Sequence, residues 1–331
     1  MKTMFSIKII AWAFTSLFFL LYGLGVYWSI EPESINLHAE VTKAAKAENV
    51  APVIGYTTTT ALIKVSETLL YKPGGYLSND ILPPSVFLDN MPAWEFGVLE
   101  MVRDMALVMR KDFSRSQSQS LVNKHLKEAQ PRFNIDSRNW AMPSAESEYG
   151  KAIEHLYAYR SALVSTNGKD KAQFYARADN LRAYLDEVQK RLGSYSQRLS
   201  QSVAREQVNT DLAGDNRAEQ SSQGDAYVQL QTSWWLIDDV FYEARGATWA
   251  LLQLLRAIEI DFNSILENKN AKISLQQIIR ELEASQESLW SPMILNGSGF
   301  GLLANHSLVM ANYISRANAA LIDLNELLTK G

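Results

Sequence analysis

The first apolar run of the chain extends from Ile9 to Trp28 and contains no charged residue. Helical residues rise about 1.5 Å each, so a run of this length covers the roughly 30 Å hydrocarbon layer of a bilayer. Tyr22, Tyr27 and Trp28 lie at the far end of the run, where interfacial aromatic residues are common. The pattern predicts a transmembrane anchor over residues 9–28, with the lipid bilayer as its partner.

The charges on the two sides of this run predict its orientation. Lys2 and Lys8 precede it, whereas Glu31 and Glu33 follow it. Because the positively charged end of a single span stays on the cytoplasmic side, residues 1–8 are predicted to form a cytoplasmic tail. The rest of the chain is then expected to lie across the membrane.

A cleaved signal peptide is the alternative interpretation of the same run. Gly23 and Gly25 have the small-residue spacing of a cleavage site. However, Val26, Tyr27 and Trp28 continue the apolar run beyond that site. The continuation favours an anchor that is retained.

Beyond residue 52 the apolar residues recur at helical spacing, and no stretch has the alternation that is typical of a strand. Apolar residues recur at intervals of three and four residues from Phe174 to Leu199 and again from Tyr227 to Ile265. Such coiled-coil-like spacing predicts helices of roughly 40 and 60 Å. The predicted fold class is therefore all-α: an N-terminal transmembrane helix followed by an elongated multi-helix bundle with long heptad-patterned helices.

Three segments interrupt the helical pattern. Residues 29–52 are interpreted as a linker after the anchor, and residues 53–331 as one helical bundle domain. Within that domain, residues 72–93 contain four prolines and a glycine pair, which forbid regular structure. Residues 207–225, rich in Gly, Asn, Ser and Gln, are predicted to be a flexible linker.

The strings that carry a resemblance are KPGGYLSNDILPPSVFLDNMPAWEFG, RDMALVMRKDFSRSQSQS and QFYARADNL. With them the chain resembles a family of uncharacterised proteobacterial inner-membrane proteins, a conserved domain of unknown function. The resemblance implies a bacterial cell envelope, one N-terminal anchor in the inner membrane and a helical domain in the periplasm. It brings no catalytic residues.

Composition excludes several kinds of chemistry. The net charge of −4 does not suit a nucleic-acid partner, which attracts a clustered basic surface. The chain has no cysteine, and its four histidines are scattered without a metal-binding spacing. We therefore expect no metal site, no cofactor and no catalytic constellation of a known kind.

Residues 72–93 and the helix that follows supply the first group of candidate binding residues. Polar and aromatic side chains gather where the backbone cannot be helical, and long irregular connections either bind partners or wrap a core. Both interpretations stay open for this group: Tyr76, Asn79, Asp80, Asp89, Asn90, Trp94 and Glu95.

The helix after residue 225 supplies the second group, on a face separate from its heptad face. Asp238 lies one turn from Tyr242 and two turns from Arg245. A carboxylate, a phenol and a guanidinium so spaced either specify packing register or form a polar pocket for a small ligand. Asp238 and its neighbour Asp239 point about 100° apart on a helix, which does not suit a paired acid and base.

Two functions from different classes follow. The first is an envelope scaffold or adaptor whose helical domain contacts an envelope protein or a second copy of the chain. The second is an envelope enzyme or a small-ligand-binding domain that uses the Trp/Asp/Tyr/Arg face of the helix.

Overall fold

A computed structural model describes residues 2–116, 120–167, 171–203, 205–208, 227–289, 293–297 and 304–330. The helices of this part are α1 Lys2–Trp28, α2 Leu37–Glu48, α3 Tyr56–Tyr71, α4 Asn90–Val108, α5 Lys124–Phe133, α6 Ala145–Leu163, α7 Ala178–Ser200, α8 Ile237–Asp261, α9 Asn263–Asn268, α10 Lys272–Ala284 and α11 His306–Thr329. A short antiparallel pair of strands, β1 Arg205–Val208 and β2 Tyr227–Leu230, accompanies them. The predicted all-α class is confirmed.

Helix α1 contains a segment, Lys8–Trp28, that is long and apolar enough to cross a membrane. Its side chains are mostly exposed, as in Trp12, Phe14 and Phe18. A signal sequence near an amino terminus has the same length and composition. Length and composition therefore fit both a membrane anchor and a signal sequence.

The core is built around the crossing of α4 and α8. A Cβ on Gly97 would come within 1.9 Å of the Glu243 carbonyl oxygen, and one on Gly246 within 2.0 Å of the Trp94 carbonyl oxygen. Only glycine allows backbones to approach this closely. Buried apolar residues of α3, α6, α7, α10 and α11 surround the two crossing helices.

Helix boundaries differ from the periodicity in both long predicted helices. The helix predicted from Phe174 is wrong at its start, because α7 begins at Ala178 and the Tyr175 amide donates to the Phe113 carbonyl at 2.7 Å. The predicted helix from Tyr227 to Ile265 is wrong at its start, because residues 227–230 pair with β1 and α8 begins at Ile237. It is also interrupted at Phe262, which caps α8 before the short helix α9. In addition, α2 forms within residues 29–52, where Asn36 caps it and accepts a hydrogen bond from the Ala39 amide.

The connection from α3 to α4 is irregular, as the prolines and glycines predict. Lys72 ends α3, and a single 3-10 turn at Ser85–Phe87 precedes α4. We call residues 72–93 the proline-glycine loop. Of the predicted flexible linker 207–225, Gln207 and Val208 lie in β1, and residues 209–225 lie outside the described part.

Candidate functional site

The proline-glycine loop is organised by one buried carboxylate, Glu95 of α4. Its oxygens accept hydrogen bonds from the Leu77 amide at 2.9 Å and the Ser78 amide at 2.8 Å. Lys72 Nζ lies 2.5 Å from Glu95 Oε1, and the side chains of this ion pair are 1% and 0% exposed. Burial raises the pKa of Glu95, while Lys72 and the donors of Ser78 and Leu77 act in the opposite direction. Glu95 thus fastens the loop to α4.

Two more candidates hold the loop to the segment before α6. Tyr76 Oη donates to the Ser137 carbonyl at 3.0 Å. Asn79 Nδ2 donates to the Asn139 carbonyl at 3.0 Å and to Glu146 Oε2 at 2.7 Å. Both side chains are buried, so they shape the loop from within.

The remaining candidates include Asp80 in the loop, Asp89 at the start of α4 and Trp94 within α4. Asp80 is exposed, and Asp89 is the N-cap of α4, where its side chain accepts a hydrogen bond from the Asn90 amide at 3.0 Å. Trp94 has no exposed surface and packs against Trp249, with ring centroids 5.1 Å apart. Among the seven candidates of this region, only the acidic residues Asp80 and Asp89 are exposed to solvent.

The second candidate group is held by the chain segment that follows α1. Arg245 is buried, and its Nε donates to both oxygens of Glu31 at 2.8 and 2.7 Å. Its remaining nitrogens donate to the Ser285 carbonyl at 3.1 Å and the Gln286 carbonyl at 3.4 Å. Each of the three guanidinium nitrogens therefore has an acceptor within the protein.

Tyr242 and Asp238 are half-buried on the same face of α8. Burial raises the pKa of Tyr242, with a further increase from Glu31 and a decrease from Arg245. The structure brings Tyr242 and Arg245 close to Glu31. Their role in binding a ligand stays a prediction.

Further along α8 the same face binds residues 33 and 34. Trp249 Nε1 donates to the Glu33 carbonyl at 3.2 Å. Ser34 Oγ accepts from Gln253 Nε2 at 3.1 Å and from Arg256 at 2.7 Å. We call this set, Glu31 to Ser34 with Arg245, Trp249, Gln253 and Arg256, the α8 clamp. Sequence reasoning missed it, although acidic residues directly after the apolar run and arginines on a second helix face were the available signal.

The end of α1 also contacts the proline-glycine loop. A Cβ on Gly74 would lie 2.7 Å from Trp28 Cγ, so the indole covers a position where φ is +85° and glycine is required. A Cβ on Gly25 would lie 3.7 Å from both Pro84 and Leu88. The loop and the clamp therefore both position α1 relative to the helical domain.

An open cleft of about 740 Å³ lies between the loop and the start of α8. Its acidic lining residues are Asp80, Asp89, Asp136, Asp239 and Glu243, and its basic ones are Arg138 and Arg198. Arg198 and Glu243 pair with each other through contacts of 2.6 and 2.5 Å. Burial, Asp238 and Asp89 raise the pKa of Asp239 to about 6.

A smaller cavity of about 160 Å³ borders Arg245 and His306. His306 Nδ1 accepts a hydrogen bond from the Leu295 amide at 2.9 Å. Across the described residues, no three His, Cys, Asp or Glu side chains are grouped so that they could hold a metal ion.

Comparison with protein families assigns the chain to one of them. A family model described as an uncharacterised protein conserved in bacteria (DUF2333) matches residues 2–331. The chain therefore belongs to this family, which confirms the resemblance to an uncharacterised bacterial family. No curated protein and no solved structure matches the chain.

Proposed function

We propose that this protein is a single-pass protein of the bacterial inner membrane whose periplasmic helical domain is an envelope scaffold or adaptor. The lysines before the apolar run and the glutamates after it support this orientation. The contacts of Gly25 and Trp28 with the proline-glycine loop support a retained α1, because cleavage after Gly25 would remove the helix that the loop covers.

The α8 clamp is the observation that carries the scaffold proposal. A flexible tether would leave the domain free to rotate above the membrane. Here the residues that leave α1 are fixed on α8 by the buried Arg245, whose Nε lies 2.7 Å from Glu31 Oε2, and by Trp249. Hydrogen bonds to charged groups contribute about 1.5–3 kcal/mol each. The domain is thereby held in one orientation, which suits a protein that presents a fixed surface to a partner.

Photo-crosslinking of the full-length protein in intact cells tests this proposal. A photoreactive residue is placed in turn at three exposed apolar positions, Ile273 of α10 and Val309 and Ile322 of α11. We expect at least one position to give a discrete adduct with one envelope protein or with a second copy. Diffuse products at every position, together with a monomer after mild extraction, would contradict the scaffold role.

A pair of arginine variants links the adduct to the clamp. Arg245→Gln removes the buried contact with Glu31 and should lower the adduct yield several-fold. Arg316→Gln removes an exposed arginine that pairs with Glu281 at 2.7 Å, and it should leave the yield unchanged. Equal yields in the two variants would show that the fixed orientation is irrelevant to partner contact.

The alternative is an envelope enzyme or a small-ligand-binding domain. The open cleft beside Asp239 favours this alternative, because it is large enough for a small molecule and contains a carboxylate with a raised pKa. Ligand screening by thermal shift, repeated with Asp239→Asn, tests it. A compound that stabilises the native protein but not this variant would support the alternative over the scaffold.

A further inference from the structure

The tip of the proline-glycine loop is an uncharged apolar segment with the sequence ILPPSVFL, residues 81–88. Four of its side chains face outward: Ile81, Leu82, Val86 and Phe87 are 59%, 71%, 53% and 78% exposed. Its one hydroxyl, on Ser85, is buried and donates to the Leu82 carbonyl at 2.6 Å. A cluster of exposed apolar side chains in one short segment marks an interaction site.

The contact between this segment and α1 indicates which environment the exposed side chains of the segment face. Pro84 and Leu88 lie against Gly25, which is three residues before the end of the apolar segment at Trp28. At about 1.5 Å per residue, Gly25 lies roughly 4.5 Å inside that end. A residue that touches Gly25 is therefore at the level of the boundary between hydrocarbon and headgroups.

Neighbouring exposed residues extend the apolar surface. Trp140, which is 64% exposed, borders the same depression as Trp28, Ile81 and Leu82. On the other side Leu236, 52% exposed, and Val86 both lie at the cleft that contains Asp239 and other charged residues. Tryptophan is enriched at the headgroup level of membranes. We call these exposed residues the membrane collar: Ile81, Leu82, Val86, Phe87, Trp140 and Leu236.

The loop backbone also suits an apolar environment, where unpaired amides are costly. The amides of Val86, Phe87 and Leu88 donate to carbonyl groups of the same segment at 3.4, 3.0 and 2.8 Å. Pro83 and Pro84 have no amide hydrogen. The tip of the loop therefore presents side chains, with few free backbone donors, to its surroundings.

We propose that the membrane collar inserts into the headgroup boundary of the leaflet in which α1 ends. The occupant of this apolar surface is then the lipid of the same bilayer. The inference rests on the proposed retained anchor and deepens it, because the domain would lie on the membrane as well as being tied to it. Amphipathic helices at this boundary bury their apolar face about 5–10 Å deep, and we expect the collar to reach a similar depth.

Single cysteines provide the test, since the natural chain contains none. The variants Phe87→Cys, Ile273→Cys and Phe18→Cys each carry one fluorescent probe on the full-length protein in phosphatidylcholine vesicles. Ile273 on α10 is 79% exposed, matching Phe87, and Phe18 lies within the apolar run of α1. Quenching is measured with spin-labelled lipid and, separately, with iodide in the water.

The expected result is that spin-labelled lipid quenches the Phe87 probe several-fold more than the Ile273 probe, with the reverse order for iodide. Iodide quenching of the Phe87 probe equal to that of the Ile273 probe would overturn the collar. Protection from both quenchers would also overturn it, because protein would then cover the loop. The Phe18 probe separates the two proposals: if lipid quenches it but not the Phe87 probe, the anchor stands and the collar fails.

Discussion

The substitution Glu95→Gln tests how the proline-glycine loop is held. Glutamine keeps the shape of the side chain but removes its charge and leaves a single acceptor oxygen. In the native protein the two carboxylate oxygens accept from the Leu77 and Ser78 amides and lie beside Lys72. The variant therefore leaves the Lys72 charge buried without its counter-ion and at least one donor without an acceptor.

The expected loss of stability in Glu95→Gln follows from the complete burial of the Lys72–Glu95 ion pair. Breaking a buried ion pair by removing one partner costs about 3–5 kcal/mol, because the other charge remains in a poorly solvated site. The side chains of Lys72 and Glu95 are 1% and 0% exposed, so we expect Glu95→Gln to lose about 3–5 kcal/mol of stability. The double variant Lys72→Met/Glu95→Gln removes both charges and should cost markedly less than the sum of the single variants.

Urea unfolding of the full-length protein in detergent, followed by near-ultraviolet circular dichroism, measures these differences. Glu187→Gln is the matched control, because Glu187 pairs with Lys190 at 3.0 Å while 47% exposed. Exposed pairs contribute about 0–1 kcal/mol. A loss of stability in Glu95→Gln no larger than that in Glu187→Gln would refute the assignment of Glu95 as the organiser of the loop.

Three further predictions concern α8. Gly246→Ala should destabilise the fold by about 1–3 kcal/mol or more, because the new Cβ would collide with the Trp94 carbonyl. The control Gly193→Ala places its Cβ in open space. It should gain about 0.5–1 kcal/mol of stability in the same unfolding assay. Since the pKa of Asp239 is raised to about 6, the native state binds a proton more tightly than the unfolded state, and stability falls as pH rises from about 4 to 6. Asp239→Asn should therefore gain stability relative to the native protein over that range, and a constant difference would contradict this. Arg245→Gln should release the segment after α1 and speed proteolytic cleavage after Glu33 in membranes, compared with Arg316→Gln; equal rates would argue against the clamp.

Local signals in the sequence account for local structure. Asp89 and Ser144 are the N-caps of α4 and α6, with side chains that accept from the Asn90 and Ser147 amides. The prolines and the glycine pair of residues 72–93 predicted an irregular connection. Each of these features depends on residues a few positions apart in the chain. The local sequence is therefore enough to explain them.

Features that depend on distant residues were not predictable in this way. Glu95 was identified as a candidate, but its pairing with Lys72 depends on how the loop folds back over α4. The predicted start of α8 was wrong. The apolar residues 227 and 230 fit a heptad pattern, but pairing with β1 gives this segment an extended backbone. The α8 clamp joins residues separated by more than 200 positions, and no periodicity reports such a contact.

Both attachments of α1 converge on the same pair of helices. Glu95 of α4 organises the loop that covers Gly25 and Trp28, and Arg245 of α8 binds the segment that leaves α1. Glu95 is two residues from Gly97, and Arg245 directly precedes Gly246, so both anchoring side chains lie next to the point where the two backbones touch. Packed backbones of this kind do not slide, because any shift drives Cα atoms into carbonyl groups. The α4–α8 crossing is therefore the rigid element through which the orientation of α1 is transmitted to the rest of the domain.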